Sequence, residues 1–225
     1  MKKRKKILIA IIVACVIGGI ALGTHQVIIK HVKTLYTDKD FGYKSIRSGK
    51  NHNKNKIDDT MDLVYGARKE AQRHPAYRSK YYVGGYPPSS EGVCTDVIWR
   101  AFKEAGVNLK KLVDADIKKH RSRYKRVGTI DPNIDFRRVP NLKVFFHYHA
   151  ENLTKDISKK EQWQAGDIVV FANSHISIIS NYRDKKGYPL LLHHASKKQK
   201  NLEADVLVLA NSKKKITGHY RYLFP

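Results

Sequence analysis

Cysteine is almost missing from this chain: 225 residues hold two, Cys15 and Cys94. Cys15 lies inside an apolar N-terminal run, so the remainder has a single thiol. That excludes an intramolecular disulfide there, and it excludes the cysteine cluster of a structural zinc site. Acidic residues are scarce as well, 20 against 44 Lys and Arg, for a formal net charge of +24. All the acids fall after residue 30, where 38 bases face them, so the body of the chain keeps a net +18. A surplus of that size favours anionic surroundings, whether an acidic polymer, a lipid surface or nucleic acid, and it serves solubility equally well. The chain has no recognition helix and no stacking-sheet signature, which argues against nucleic acid. It has no internal repeat, and no apolar run of membrane length follows residue 29.

One such run is present at the start. MKKRKK opens the chain, Ile7–Leu22 is unbroken apolar sequence, and Val27-Ile28-Ile29 extends it. A bilayer core needs ~20 residues of helix. No small-x-small cleavage site followed by polar sequence ends the run, so residues 1–29 are expected to be a basic flank and an uncleaved transmembrane anchor. Five bases in the first six residues place the N-terminus inside and the rest of the chain outside. Residues 30–56, with GKNHNKNK at 49–56, are polar and basic and read as a flexible tether. The domain is expected over 57–225.

Within it the hydrophobic period changes once. Helices are predicted over Asp58–Arg73, from Cys94 to Gly106, over Leu109–Ile117 and over Val144–His149. Strands are predicted at Ile168–Phe171, His175–Ser180, Leu190–His194, Asp205–Ala210 and His219–Tyr222. Helices followed by an antiparallel meander make an α+β domain.

The chemistry centres on Cys94. It follows a glycine- and proline-rich loop, Tyr81–Val93, and opens a helix whose apolar stripe is Val97, Ile98, Ala101, Phe102 and Ala105. Four residues before Ile98, the thiol shares that stripe and faces the domain interior. A helix N-terminus favours a thiolate, so a lowered pKa is expected. A sulfur nucleophile needs a base and the base needs an orienting group. His175, which opens a strand, is the candidate base. His193 and His194 sit on the next strand, where alternation lets only one of them face it. The alternative for Cys94 is an inert buried thiol. Asp131–Leu142 carries Asp135, Arg137 and Arg138, either a guanidinium fork for an anionic substrate or a loop pinned by its own Asp–Arg pairs. His147 and His149 do not share a helical face, and no metal site or cofactor is indicated.

These residues resemble a known group. Tyr81-x-Val83-Gly84-Gly85, Gly92-x-Cys94, Trp163-x-x-Gly166-Asp167-Ile168-Val169-x-Phe171, His175-Ile-x-Ile-Ile and His194-Ala195-Ser196 resemble the motifs of NlpC/p60-type papain-like cysteine peptidases. Cys94-Thr95-Asp96, the loop Asn133–Leu142 and Gly218-His219-Tyr220-Arg221 are similar to an exported bacterial family of unknown function in that superfamily. The resemblance spans about 58–225. It implies a papain-like fold with Cys94 as nucleophile and His175 as base. It implies a third polar residue, at His193 by the closer family's Pro-x-x-x-His spacing or at His194 by the wider pattern; His193 is the expectation. It further implies Tyr81 as an oxyanion or substrate contact and a cell-envelope amide such as peptidoglycan as substrate. Where the superfamily has Asp-Cys-Ser-Gly, this chain has Val93-Cys94-Thr95-Asp96, so the pocket behind the nucleophile differs. Asp96 is expected to bond backbone or an arginine of the 131–142 loop.

Overall fold

A computed structural model describes residues 35–225, and Tyr36–Pro225 forms one folded unit. Helix α1 (Asp59–Arg73) starts where the Asp58 carboxylate accepts the Thr60 N–H at 2.9 Å. It ends at His74, in left-handed backbone, directly before Pro75. The short strands β1 (Ala76–Tyr77) and β2 (Glu91–Gly92) pair in parallel and bracket the loop before Cys94. Helix α2 (Cys94–Glu104) buries the predicted stripe and stops at Gly106, whose φ of +77° suits glycine. Gly66 lets α1 and α2 touch: a Cβ there would meet the Ala101 Cα at 2.8 Å. Helices α3 (Leu109–Lys119) and α4 (Val139–His149) complete that side.

The sheet contains β3 (Glu151–Asn152), β4 (Ile168–Phe171), β5 (His175–Arg183), β6 (Pro189–Leu192) and β7 (Ile216–Arg221), in the order β3-β7-β4-β5-β6, all antiparallel. Register fixes what each face carries. Ile168 stands opposite Ile178, Val170 opposite Ile176, and Ile178 opposite Leu192. These five pack with the helices in the main core. The alternate residues Val169, Phe171, Ile179 and Leu191 form a second cluster with Trp163, Leu207 and Ile216 on the far face. Both faces are covered, which is why the strands read as continuous apolar runs. The helices-plus-antiparallel-sheet reading holds.

Two expectations need correction. The strand predicted at 205–210 is helix α5 (Leu207–Lys213); only Leu207 is buried within it, and Leu209 is 60% exposed. The apolar run there anchors one turn and does not pair, apart from a single Leu190–Val206 bridge. The tether expected over 30–56 is not a tether where it is described. Tyr36 exchanges backbone hydrogen bonds with Arg183, Asp38 accepts the Arg183 Nε–H at 2.5 Å, and Ile46 N–H donates to Gln164. Gly49 donates to Asp58, and Asn53 Nδ2 donates to Asp62 and to the Glu104 carbonyl. Polar side chains fasten this segment, so hydropathy alone could not place it. The expected anchor at 1–29 lies outside the described residues; among those described, no helix is long and apolar enough to cross a membrane.

Candidate active site at the head of helix α2

Cys94 is the first residue of α2 and is only 7% exposed. Burial pushes its thiol up to about 11 and outweighs the opposing N–H groups of Ile176, Thr95 and Cys94 itself; the Asp96 charge adds to the rise. The expected lowering is therefore reversed. Two amides of the helix start, Cys94 and Thr95, and one from β5, Ile176, do face the sulfur, but desolvation of a charged sulfur is the larger effect.

His175 opens β5 opposite Phe171, which places its ring on the far face of the sheet. The next residue, Ile176, belongs to the helix face, and its N–H is the one directed at the Cys94 sulfur. The two side chains thus flank the backbone at the head of β5, and no hydrogen bond joins them. His175 Nε2 lies 2.6 Å from His193 Nδ1, and His193 Nε2 lies 2.8 Å from Asp205 Oδ2. Of the two adjacent histidines, then, the structure brings His193 to His175. Burial, then the neighbouring His193 and Lys214, pushes His175 down to about 3. The bond from His193 holds the Asp205 carboxyl below its usual range.

His194 points elsewhere. Its ring meets Tyr77 edge-on at 5.0 Å, and its buried Nδ1 has no hydrogen-bond partner among the described residues. Burial, then His193, lowers its pKa. Sequence reasoning missed Tyr77 and Asp205. Neither carries a motif, and Asp205 reaches His193 across a 12-residue loop.

The remaining candidates organise the loops. Asp96 accepts from Val93 N–H and Trp99 Nε1, and it takes a two-pronged bond from Arg137 at 2.8 and 2.9 Å, with both charges buried. Arg137 also donates to the Lys80 carbonyl, so one ion pair ties helix α2 to the loop before it and to the 131–142 loop. Asp135 accepts from Asp131 N–H and from Arg138, which makes this pair a pin within its own loop. Tyr81, 55% exposed, is held by Asn133 and Asp131. None of these three lies against Cys94. A groove of about 970 Å³ is lined by Tyr86, Trp99, Lys69 and Lys103, and neither Cys94 nor His175 is part of its lining.

The Gly-Asp and Gly-His-Tyr-Arg motifs meet across the β4–β7 pair. Asp167 accepts twice from Arg221, at 2.8 Å each, and once from His219 Nε2 at 2.9 Å. His219 Nδ1 faces the Thr154 carbonyl, and the His219 ring stacks on Trp163 at 3.7 Å. This is a closed structural clamp.

Comparison with known proteins bears on the same residues. An uncharacterized protein of Escherichia coli (strain K12), YijF, is 38% identical over 158 residues, covering 66% of this chain and 72% of that protein. No solved structure matches. The model of a domain of unknown function, DUF1287, matches residues 64–222, a span that takes in Cys94, His175, His193, Asp205 and the whole Asp167 clamp, and the chain belongs to that family.

Proposed function

We propose that the chain is a membrane-anchored, outward-facing cysteine hydrolase of papain-like, NlpC/p60 type that cleaves an amide in peptidoglycan or a related envelope substrate. One observation carries this: a histidine at the head of β5 is oriented by a second histidine and a carboxylate, beside an amide directed at the domain's lone thiol. The Cys94 sulfur attacks the amide carbonyl carbon while His175 takes the thiol proton. The Cys94 N–H and a donor from the preceding loop stabilise the oxyanion. The imidazolium returns the proton to the leaving amine, and water then releases the acid from the thioester. Thiol and imidazole both rest neutral, so proton transfer accompanies attack. The 7% exposure of Cys94 requires the Tyr81–Val93 loop to shift as substrate enters. Because the His175 ring lies on the sheet face away from α2, the reaction also requires that side chain to turn around the end of β5 toward Cys94 as the complex forms.

The test uses the full chain carrying Cys15→Ser, incubated with peptidoglycan fragments while new free amines are counted. Release that disappears in Cys94→Ala and in His175→Ala is expected. Release that survives Cys94→Ala sinks the proposal. Acyl transfer on the same site is read from the product: it needs an acyl acceptor, whereas hydrolysis does not. A non-catalytic reading, binding of an anionic wall polymer, is favoured by the groove beside Trp99 and Tyr86, which Lys69, Arg73, Lys103 and Lys110 line. It predicts salt-sensitive binding that Cys94→Ala leaves unchanged.

A further inference from the structure

We infer that Asp205 is the positioning residue that sets the tautomer of His175, acting through His193. The inference rests on His175 being the base, and it adds a residue and a direction of proton transfer.

An ionised carboxylate only accepts hydrogen bonds. At 2.8 Å from Asp205 Oδ2, His193 Nε2 must therefore carry the proton. A neutral His193 then has its lone pair on Nδ1. The atom 2.6 Å away, His175 Nε2, must donate to it. That leaves the lone pair of His175 on Nδ1, the nitrogen that would receive the Cys94 proton. Each step follows from the one before, and the chain has one free end.

Asp205 has no other evident task. It precedes the first residues of α5, where an aspartate often caps a helix, yet its carboxylate accepts no α5 N–H; its side-chain partner among the described residues is His193. Its backbone is pinned independently, because the Leu191 N–H donates to the Asp205 carbonyl at 2.9 Å. The carboxylate is thus delivered to His193 by the pairing of its own loop along β6. Its side chain is 47% exposed, so water can reach it, while the His193 side chain is 5% exposed. His194 provides the contrast: one residue along, it has no carboxylate partner, and its buried Nδ1 has no hydrogen-bond partner among the described residues.

The experiment is ring ¹⁵N–¹H correlation of the ¹⁵N-histidine-labelled full chain, which reads which nitrogen holds each proton. Protonated Nε2 at both His175 and His193 is expected in the wild type. Asp205→Ala should convert His193 to a mixture of tautomers and lose the single form at His175, and Asp205→Glu should restore both. Asp205→Asn, nearly the same shape, serves if the alanine variant does not give a folded amide spectrum. Unchanged tautomers in Asp205→Ala or Asp205→Asn would overturn the assignment. A parallel arm measures Cys94 alkylation by iodoacetamide at pH 7 in the Cys15→Ser background. A fall of about tenfold in Asp205→Asn, the equivalent of one pKa unit of His175 basicity, is expected. If the tautomers move but neither Asp205→Asn nor His175→Ala changes alkylation, the Asp205 assignment stands and the base reading falls. If the tautomers are unchanged and only His175→Ala slows alkylation, the Asp205 assignment falls and the base reading stands.

Discussion

The domain contains two buried histidine–aspartate networks, and they are built to opposite ends. Around Asp167 the arms are closed: both nitrogens of His219 face oxygens, Arg221 donates to both carboxylate oxygens through Nε and Nη2, and Trp163 covers the His219 ring. The network from Asp205 through His193 to His175 has one half-exposed end and, among the described residues, one ring nitrogen, His175 Nδ1, without a hydrogen-bond partner. The same side chains therefore serve as mortar in one place and as a line of proton holders in the other. What separates them is saturation. A network with every donor and acceptor spent can only hold strands together, whereas one with a valence left over can act on something that arrives.

Three perturbations sharpen that contrast. The largest should come from the closed network. Asp167→Ala strands Arg221 and His219 in a site where the carboxylate is 1% exposed, and about 3–5 kcal/mol of stability should go, measured by urea unfolding. A loss below about 1 kcal/mol would mean the clamp is not structural. Next is the thiol. With Cys94 raised to about 11, from an ordinary 9.0, native-state alkylation at pH 8 should run about a hundredfold slower than in urea-unfolded chain. Comparable native and unfolded rates would show that the site already stands open. The smallest is a slope. His175 takes up its second ring proton only at about pH 3 in the fold but does so near 6.5 when unfolded. The unfolded state binds the extra proton between those values, so stability should fall as pH drops from about 6.5 toward 3. His175→Gln should flatten that segment of the urea-midpoint profile, and an unchanged slope would assign it to other groups.

Much of the site was legible because its logic is local. Spacing along Cys94–Gly106 is enough to place the thiol at a helix start and on a buried stripe. A carboxylate at Asp96 and a loop with paired arginines are enough to expect a bond to backbone or to one of those arginines; the structure makes both, to Val93 N–H and to Arg137. What sequence could not supply is the depth of burial and the face of the sheet. The helix dipole is readable from position alone, but the desolvation that overrides it depends on how tightly β5 covers the sulfur. Alternation groups His175 with Ser177 and Ile179, yet only the register with Phe171 shows that this group faces away from α2. Asp205 lay beyond reach for a related reason: it is joined to His193 by loop closure, which leaves no period to detect. The segment 36–56 was misread because backbone amides and Asn, Asp and Ser side chains, not apolar residues, hold it down.

That segment also carries a mechanical consequence. Tyr36 and Asp38 are fastened to Arg183, the last residue of the strand whose first residue is His175. Tension applied to the chain ahead of residue 36 therefore enters the domain at one end of β5, through a two-bond backbone clasp reinforced by an ion pair. It can travel along a strand of nine residues, roughly 27 Å at ~3.4 Å per step, to the histidine at the other end. The load path and the strand headed by His175 are the same piece of polypeptide. Such tension would be felt first at the Arg183 clasp and only afterwards by the helices that hold the thiol.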